Sequence, residues 1–559
     1  MSSLRAERPR PAAPPASALK PSTALSLLLT AVLLLPAGGA APAAAGTGDP
    51  ERPVVVTDRG AVRGRTHGTH RTFQGIPFAA PPTGALRWRL PRPAPRWPGV
   101  RDAGAPGPHC VQLPALGPGG PSGSEDCLRL DVTVPARAAA PGRPRPVMVW
   151  FHGGGFMNGS GALYPAGALA ARGDVVVVTV NYRLGVFGLF AHPELGGAPG
   201  FALADQQAAL RWVRANAAAF GADPGRVTVF GESAGGLSVC AHLTSPASAG
   251  LFHRAVVQSG PCSLTMPPHS WLPPLGAYEP FVAERRTVAD GVRAAARLGC
   301  ARAAGVLECL RALDARTLAT PELMNTFSRV SYGNGQLPVE PRRALAEGRF
   351  HRVPVVQGVT RDEMRAFLGQ TLAAHPIGDA AAYRARLERS FGVGTAREVA
   401  ARYPVSAHPT PAAAFAAVLS DASFICPALR DGRALARRVP VYGYRFSDRG
   451  APDFLGLPEP PDLPLGAAHG SELPSLFTLA PLTGPQRELA DRMTGYWTSF
   501  ARDGVPRAPG APGWPRLGDP PDRVLSLAPG PGGIRTVDAG TEHHCGWWDA
   551  RWPGPASAR

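Results

Sequence analysis

Six apolar runs recur along the chain, each bounded by turn residues: Pro146–Phe151, Val175–Val180, Val227–Phe230, Ala255–Val257, Val353–Val356 and Val439–Phe446. Most are continuous rather than alternating, as expected of strands buried on both faces in a parallel sheet. Helical patterns lie between them. In Asp205–Phe220 the apolar residues Leu210, Val213, Ala217 and Phe220 share one helical face. Gly221 ends that pattern, and Asp223-Pro224 is expected to turn the chain into the next strand. Strand, helix and strand at this spacing predict an α/β fold with a large, mostly parallel central sheet flanked by helices. The segment Val54–Arg65 reads as a hairpin feeding one edge of that sheet. Residues 265–350 and 365–435 are rich in Ala and Arg at helical spacing and read as helical insertions that cap it. There is no internal repeat and no linker, so residues 46–559 read as one domain.

The N-terminus follows a different pattern. Arg5, Arg8, Arg10 and Lys20 precede the apolar stretch ALSLLLTAVLLL at 24–35, which is short for a membrane span. Ala43-Ala44-Ala45 then offers a small-residue cleavage site. Residues 1–45 are therefore expected to be a signal peptide, with a secreted mature chain starting near Gly46. Nothing later in the sequence reads as a second span.

Composition changes the picture little. With 44% hydrophobic residues, the 559-residue chain can build a sizeable core. Its 66 glycines and 64 prolines approach the density at which disorder is suspected, but the recurring strand runs argue against it. The formal charge is +17, and Lys20 is the only lysine, a bias typical of a GC-rich, bacterial-looking coding sequence. The arginines are scattered, with no basic block and no interleaved aromatics, so no nucleic-acid partner is expected. Eight cysteines suit an exported protein. Spacing does not fix their pairing, and Cys240 and Cys262 read as small buried thiols.

The chemistry concentrates in VTVFGESAGGLSV, residues 227–239. Gly-x-Ser-x-Gly between a strand and a helical pattern is a nucleophile elbow. Small residues on either side let strand and helix approach while Ser233 stands clear of the sheet. A serine hydroxyl needs a general base and a group to orient that base, expected here in the order Ser, acid, His. His469, in the loop AAHGSE after the run at 439–446, is the best-placed base. His408 lacks a preceding strand, and His543 and His544 lie near the C-terminus. The acid should follow the run at 353–357, where Asp362 and Glu363 both qualify by spacing. His152-Gly153-Gly154-Gly155 after Phe151 is an oxyanion loop, with Ala234 as a further backbone donor. No Lys-Ser/Thr follows the glycines, which excludes a phosphate-binding loop.

FQGIPFAAPPTGALRW, SEDCLRLDV, VWFHGGGF, VTVNYRLGVFG, FGESAGG, HGSELPSLF and HHCGWWD together resemble the type-B carboxylesterases. These belong to the carboxylesterase and cholinesterase family of the α/β-hydrolase fold, and the resemblance spans about residues 53–552. It implies a serine carboxylesterase that acts on small-molecule esters through an acyl-enzyme and needs no metal or cofactor. Ser233 then matches the nucleophile, His469 the base and Glu363 the acid. Gly154, Gly155 and Ala234 match the oxyanion donors. Cys110 with Cys127, Cys300 with Cys309, and Cys426 with Cys545 match disulfide positions, whereas Cys240 and Cys262 match none. Two departures stand out. Met364 replaces a common glycine after the acid, where a side chain is expected to crowd the loop. The 110–127 loop lacks the aromatic that holds choline esters by cation–π contact. Lipases, lactonases and carbamate hydrolases share such a triad, and non-catalytic binding relatives lack one of its members. Acyl length and oligomeric state are not encoded in it.

Overall fold

The continuous apolar runs become strands with both faces covered. The computed structural model describes residues 51–551 apart from 116–118, 272–275, 303 and 519–521; the expected leader, 1–45, and its cleavage site lie outside them. The main sheet has eleven strands. They are β1 (Arg65–His67), β2 (His70–Pro77), β3 (Arg129–Pro135), β4 (Arg145–Phe151), β5 (Val176–Val180) and β6 (Ala222–Glu232). Then follow β7 (Arg254–Gln258), β8 (Val355–Thr360), β9 (Val441–Phe446), β10 (Arg523–Leu527) and β11 (Arg535–Asp538). The order is β11-β10-β9-β8-β7-β6-β4-β5-β3-β2-β1. Every pairing from β5 to β10 is parallel, and the flanks are antiparallel.

Side chains alternate between two apolar layers, as the period of a strand requires. From β4, Val147, Val149 and Phe151 enter one core, while Met148 and Trp150 enter the other. β5 splits Val176, Val178 and Val180 from Val177 in the same way. On the first face lie helices α1 (Phe201–Asn216) and α2 (Ala234–Thr244), through Leu210, Val213, Val239 and Leu243. The 265–350 and 365–435 insertions are largely helical and include α3 (Pro411–Ser420) and α4 (Cys426–Ala436), joined by a π-turn at Asp421–Ile425. Helix α5 (Gly484–Asp503) covers the second face with Leu489, Met493, Trp497 and Phe500.

Several expectations are corrected. The 54–65 hairpin forms, but it pairs with Val100–Asp102 in a separate three-stranded sheet; β1 and β2 make the edge of the main one. Asp223-Pro224 does not end an element. β6 already pairs at Ala222 with Arg145 and resumes at Val227 with Val147, so residues 223–226 bulge out of a continuing strand. Helix α1 starts at Phe201, ahead of Asp205, which lies inside it as a buried ion-pair partner of Arg183 (2.7 and 2.8 Å). The segment 411–436 is long and apolar enough to cross a membrane, against expectation, but it is mostly buried inside the protein. Cys110–Cys127, Cys300–Cys309 and Cys426–Cys545 are joined. Cys240 and Cys262, read as thiols, form a fourth bridge.

Candidate active site

Ser233 sits where β6 ends and α2 begins, with φ 57° and ψ −121°. That region is sparsely populated for a residue with a side chain and is stored strain. From Val227 to Leu243, Ser233 alone is not buried. The turn closes because Gly235 lies against β4: a Cβ there would stand 1.9 Å from the carbonyl oxygen of Phe151. Sequence and local shape agree, since any larger residue would push helix from strand.

The loop after β4 brings backbone donors to the same place. Gly154 adopts φ +102°, and its carbonyl accepts from Met157 (2.9 Å) and Asn158 (3.1 Å). The amides of Gly154, Gly155 and Ala234 have no acceptor among the described residues. Gly153 passes close over the serine: a Cβ there would lie 3.1 Å from that of Ser233. The loop is pinned on two sides. Tyr182 stacks on His152 and donates to its carbonyl (2.6 Å). Gln112, in the 110–127 loop, exchanges two hydrogen bonds with Gly159 (2.7 and 3.0 Å). Burial pushes His152 down to about 4, so it is a neutral structural ring.

His469 reaches the elbow from the loop after β9. Its Nδ1 lies 2.5 Å from Glu363 Oε2. Glu363 is fully buried, and its other oxygen accepts from the Thr360 amide (2.9 Å) at the end of β8. The neighbouring Asp362 faces elsewhere. It binds Arg449 (2.9 and 3.0 Å) and accepts from the Ala467 amide (3.1 Å), while its own amide donates to the Ala467 carbonyl (2.8 Å). Asp362 therefore anchors the loop that carries the histidine, and Glu363 holds the ring. With Nδ1 engaged, Nε2 is the atom left to face a substrate-side proton. Neither Nε2 nor the Ser233 hydroxyl makes a hydrogen bond among the described residues. Phe367 (4.9 Å) and Phe424 (5.3 Å) flank the imidazole, and Trp271 meets Phe367 edge-on. Phe424 belongs to the π-turn, a local irregularity of the kind common at functional sites.

Two acids that sequence reasoning quoted without assigning complete the electrostatics. Glu232, beside the serine, has Oε1 3.1 Å from His469 Nε2, but off the hydrogen-bond direction. Glu472, three residues after the histidine, accepts from the Gln258 side-chain amide (3.1 Å), whose Oε1 accepts from Trp497 Nε1 (3.1 Å). Both acids are buried. Burial pushes Glu232 and Glu472 up. Burial pulls His469 down, but Glu232 and Glu363 more than offset it and hold the ring above its ordinary range. The positions of Glu232 and Glu472 inside the two motifs, Gly-Glu-Ser and His-Gly-Ser-Glu, were the available signal. His408, His543 and His544 do not join the site. His543 instead pairs with Asp421 (2.7 Å).

The expected crowding at Met364 does not occur. Its backbone is ordinary helical (φ −80°, ψ −5°), so no glycine is required. Its side chain is fully buried in the core, and its amide donates to Ser420 (3.0 Å).

The description "Carboxylesterase family" fits residues 51–548. The chain is 36% identical to a cocaine esterase of Oryctolagus cuniculus, an alignment covering 86% of this chain and 92% of that one. It is 35% identical to a fumonisin B1 esterase of Sphingopyxis macrogoltabida, over 92% and 93%. A solved PNB esterase superposes with a TM-score of 0.69 at 32% identity, covering 88% of this chain and 98% of that one.

Replacing Met364 by glycine removes a buried side chain. Met364→Gly is expected to destabilise the protein by about 2–5 kcal/mol, as large-to-small core changes do. Urea unfolding checks this; an unchanged midpoint would mean the side chain packs against nothing.

Proposed function

The chain belongs to the carboxylesterase family and is a serine hydrolase of carboxylic esters, and we propose that Ser233, His469 and Glu363 carry the reaction. The observation that carries this reading is the convergence on one elbow of a half-buried, strained serine, a histidine held at Nδ1 by a buried carboxylate, and amides without acceptors among the described residues. His469 Nε2 takes the Ser233 proton as the oxygen attacks the ester carbonyl. Glu363 fixes the tautomer that leaves Nε2 basic and supports the imidazolium that forms. Gly154, Gly155 and Ala234 donate to the oxyanion, the largest single electrostatic contribution in such sites. His469 then protonates the leaving alcohol, and water attacks the acyl-enzyme by the reverse sequence. Phe367, Phe424 and Trp271 give the substrate an apolar, aromatic wall beside the base. Residues 1–45 direct the chain out of the cell and are removed, a reading supported by the leader pattern and by cysteines bonded throughout.

Ser233→Ala is expected to lower kcat for p-nitrophenyl butyrate by about 10⁴-fold or more. Across the acetate-to-palmitate series, the parent protein should favour short chains; turnover of long chains alone would identify a lipase instead. The pH profile tests the base. His469 must be neutral to accept a proton, so activity rises with pH through its titration. Glu232→Gln removes the carboxyl nearest His469 Nε2, whose ionised form raises the ring, so the acid limb of kcat/KM is expected to move down. An unmoved limb would show that Glu232 does not act on the base. N-terminal sequencing of protein from culture medium should begin near Gly46; an intact leader would refute export with cleavage.

A further inference from the structure

The strained backbone of Ser233 persists only if its surroundings over-determine it. Two contacts do so from one side. The Ser233 amide donates to the Gln258 carbonyl (3.0 Å) at the end of β7. Gly260, two residues on, presses against the serine's own carbonyl: a Cβ there would lie 2.5 Å from Ser233 O and 2.6 Å from Leu237 N. The loop leaving β7 is thus the support on which the elbow rests. That loop is bent tightly, with Ser259 at φ +46° and its amide donating to Gly358 (2.9 Å).

Two anchors fix the loop. The Ser263 amide donates to Asp431 of α4 (2.9 Å), and the Ser263 hydroxyl donates to the other oxygen of the same carboxylate. Cys262 is bonded to Cys240 in α2, with Cα atoms 5.5 Å apart. Cys240 lies six residues beyond Ala234, roughly 9 Å along the helix. The bridge therefore ties the helix whose first amide faces the oxyanion to the loop that presses Gly260 on the nucleophile. Both cysteines are buried, at 0% and 5% exposure. The other three bridges join segments outside both α2 and this loop.

We propose that the Cys240–Cys262 disulfide is a positioning element for Ser233 and Ala234, beyond any share in global stability; this rests on reading Ser233 as the nucleophile. The cysteines touch no substrate and act through the elbow. Without the bridge, no covalent link holds the 259–263 loop to α2; only packing such as that of the Gly260 backbone on the elbow remains, and the two can separate. Misplacement on the order of 1 Å costs catalysis about a hundredfold.

The test compares four full-length proteins: the parent, Cys240→Ala/Cys262→Ala, Cys240→Val/Cys262→Ala as a better-filled version, and Cys300→Ala/Cys309→Ala as a peripheral control. Each is titrated with a fluorophosphonate, then assayed for kcat, KM and phosphonylation rate per reactive site. In the bridge-free elbow variants, kcat and phosphonylation rate should fall tenfold or more with KM within twofold. The control should keep kcat within twofold whatever its thermal stability. A kcat and phosphonylation rate in either elbow variant no lower than the control's would overturn the proposal. A parent protein not labelled at Ser233 would overturn the nucleophile assignment itself, whatever the bridge does.

Discussion

Every part of the site depends on one backbone conformation, that of Ser233 at φ 57° and ψ −121°. Such a residue costs of order 1–3 kcal/mol and relaxes unless its neighbours forbid it. Here the prohibition comes from two sides, one steric and one that adds a hydrogen bond. Phe151 at the end of β4 leaves no room for a side chain at Gly235. Gly260 presses from β7, and the Gln258 carbonyl fixes the serine amide. These are the C-terminal ends of adjacent parallel strands, where loops converge at the change in strand order between β4 and β6. The parallel sheet is thus the reason a half-buried hydroxyl can be held rigidly.

The second constraint is electrostatic. Glu232, Glu363 and Glu472 surround a single imidazole in a buried setting. Three ionised carboxylates there would be prohibitively costly. Burial answers by driving Glu232 and Glu472 toward their neutral forms. Glu363 instead meets the Thr360 amide and the His469 ring through hydrogen bonds at its two oxygens. Glu363 is the acid whose geometry holds the imidazole, and Asp362, bound to Arg449 outside the cluster, contributes only by holding the loop.

This division explains what the sequence could reveal. The buried parallel strands were legible because burial on both faces leaves no alternation to hide. The elbow and the glycine loop were legible because their steric demands select glycine at fixed offsets. Asp362 and Glu363 were not separable by spacing: their partners, Arg449 and His469, are about a hundred residues away in sequence and are reached only through the fold. The bulge at 223–226 reads as a turn locally, because only pairing with β4 on both sides of it reveals a continuing strand. The Cys240–Cys262 bridge was missed for a similar reason, since neither spacing nor family resemblance reports that β7 returns its following loop to α2.

The arginine excess shows the same limit from the side of composition. Net charge is a statement about a surface, yet several arginines here are internal struts. Arg183 is 3% exposed and pairs with Asp205 at the base of α1. Arg87, 5% exposed, binds Glu125 beside Cys127 and donates to the carbonyls of Leu310, Arg311 and Leu313. One guanidinium so joins the 110–127 loop to the carbonyls that follow Cys309 in the insertion. Arginine suits this work because its planar fork keeps its charge and presents several donors in fixed directions. Where long loops must be fixed around a sheet edge, this chain uses disulfides and buried arginines together, and the basic count reflects that internal role as well as the solvent-facing one.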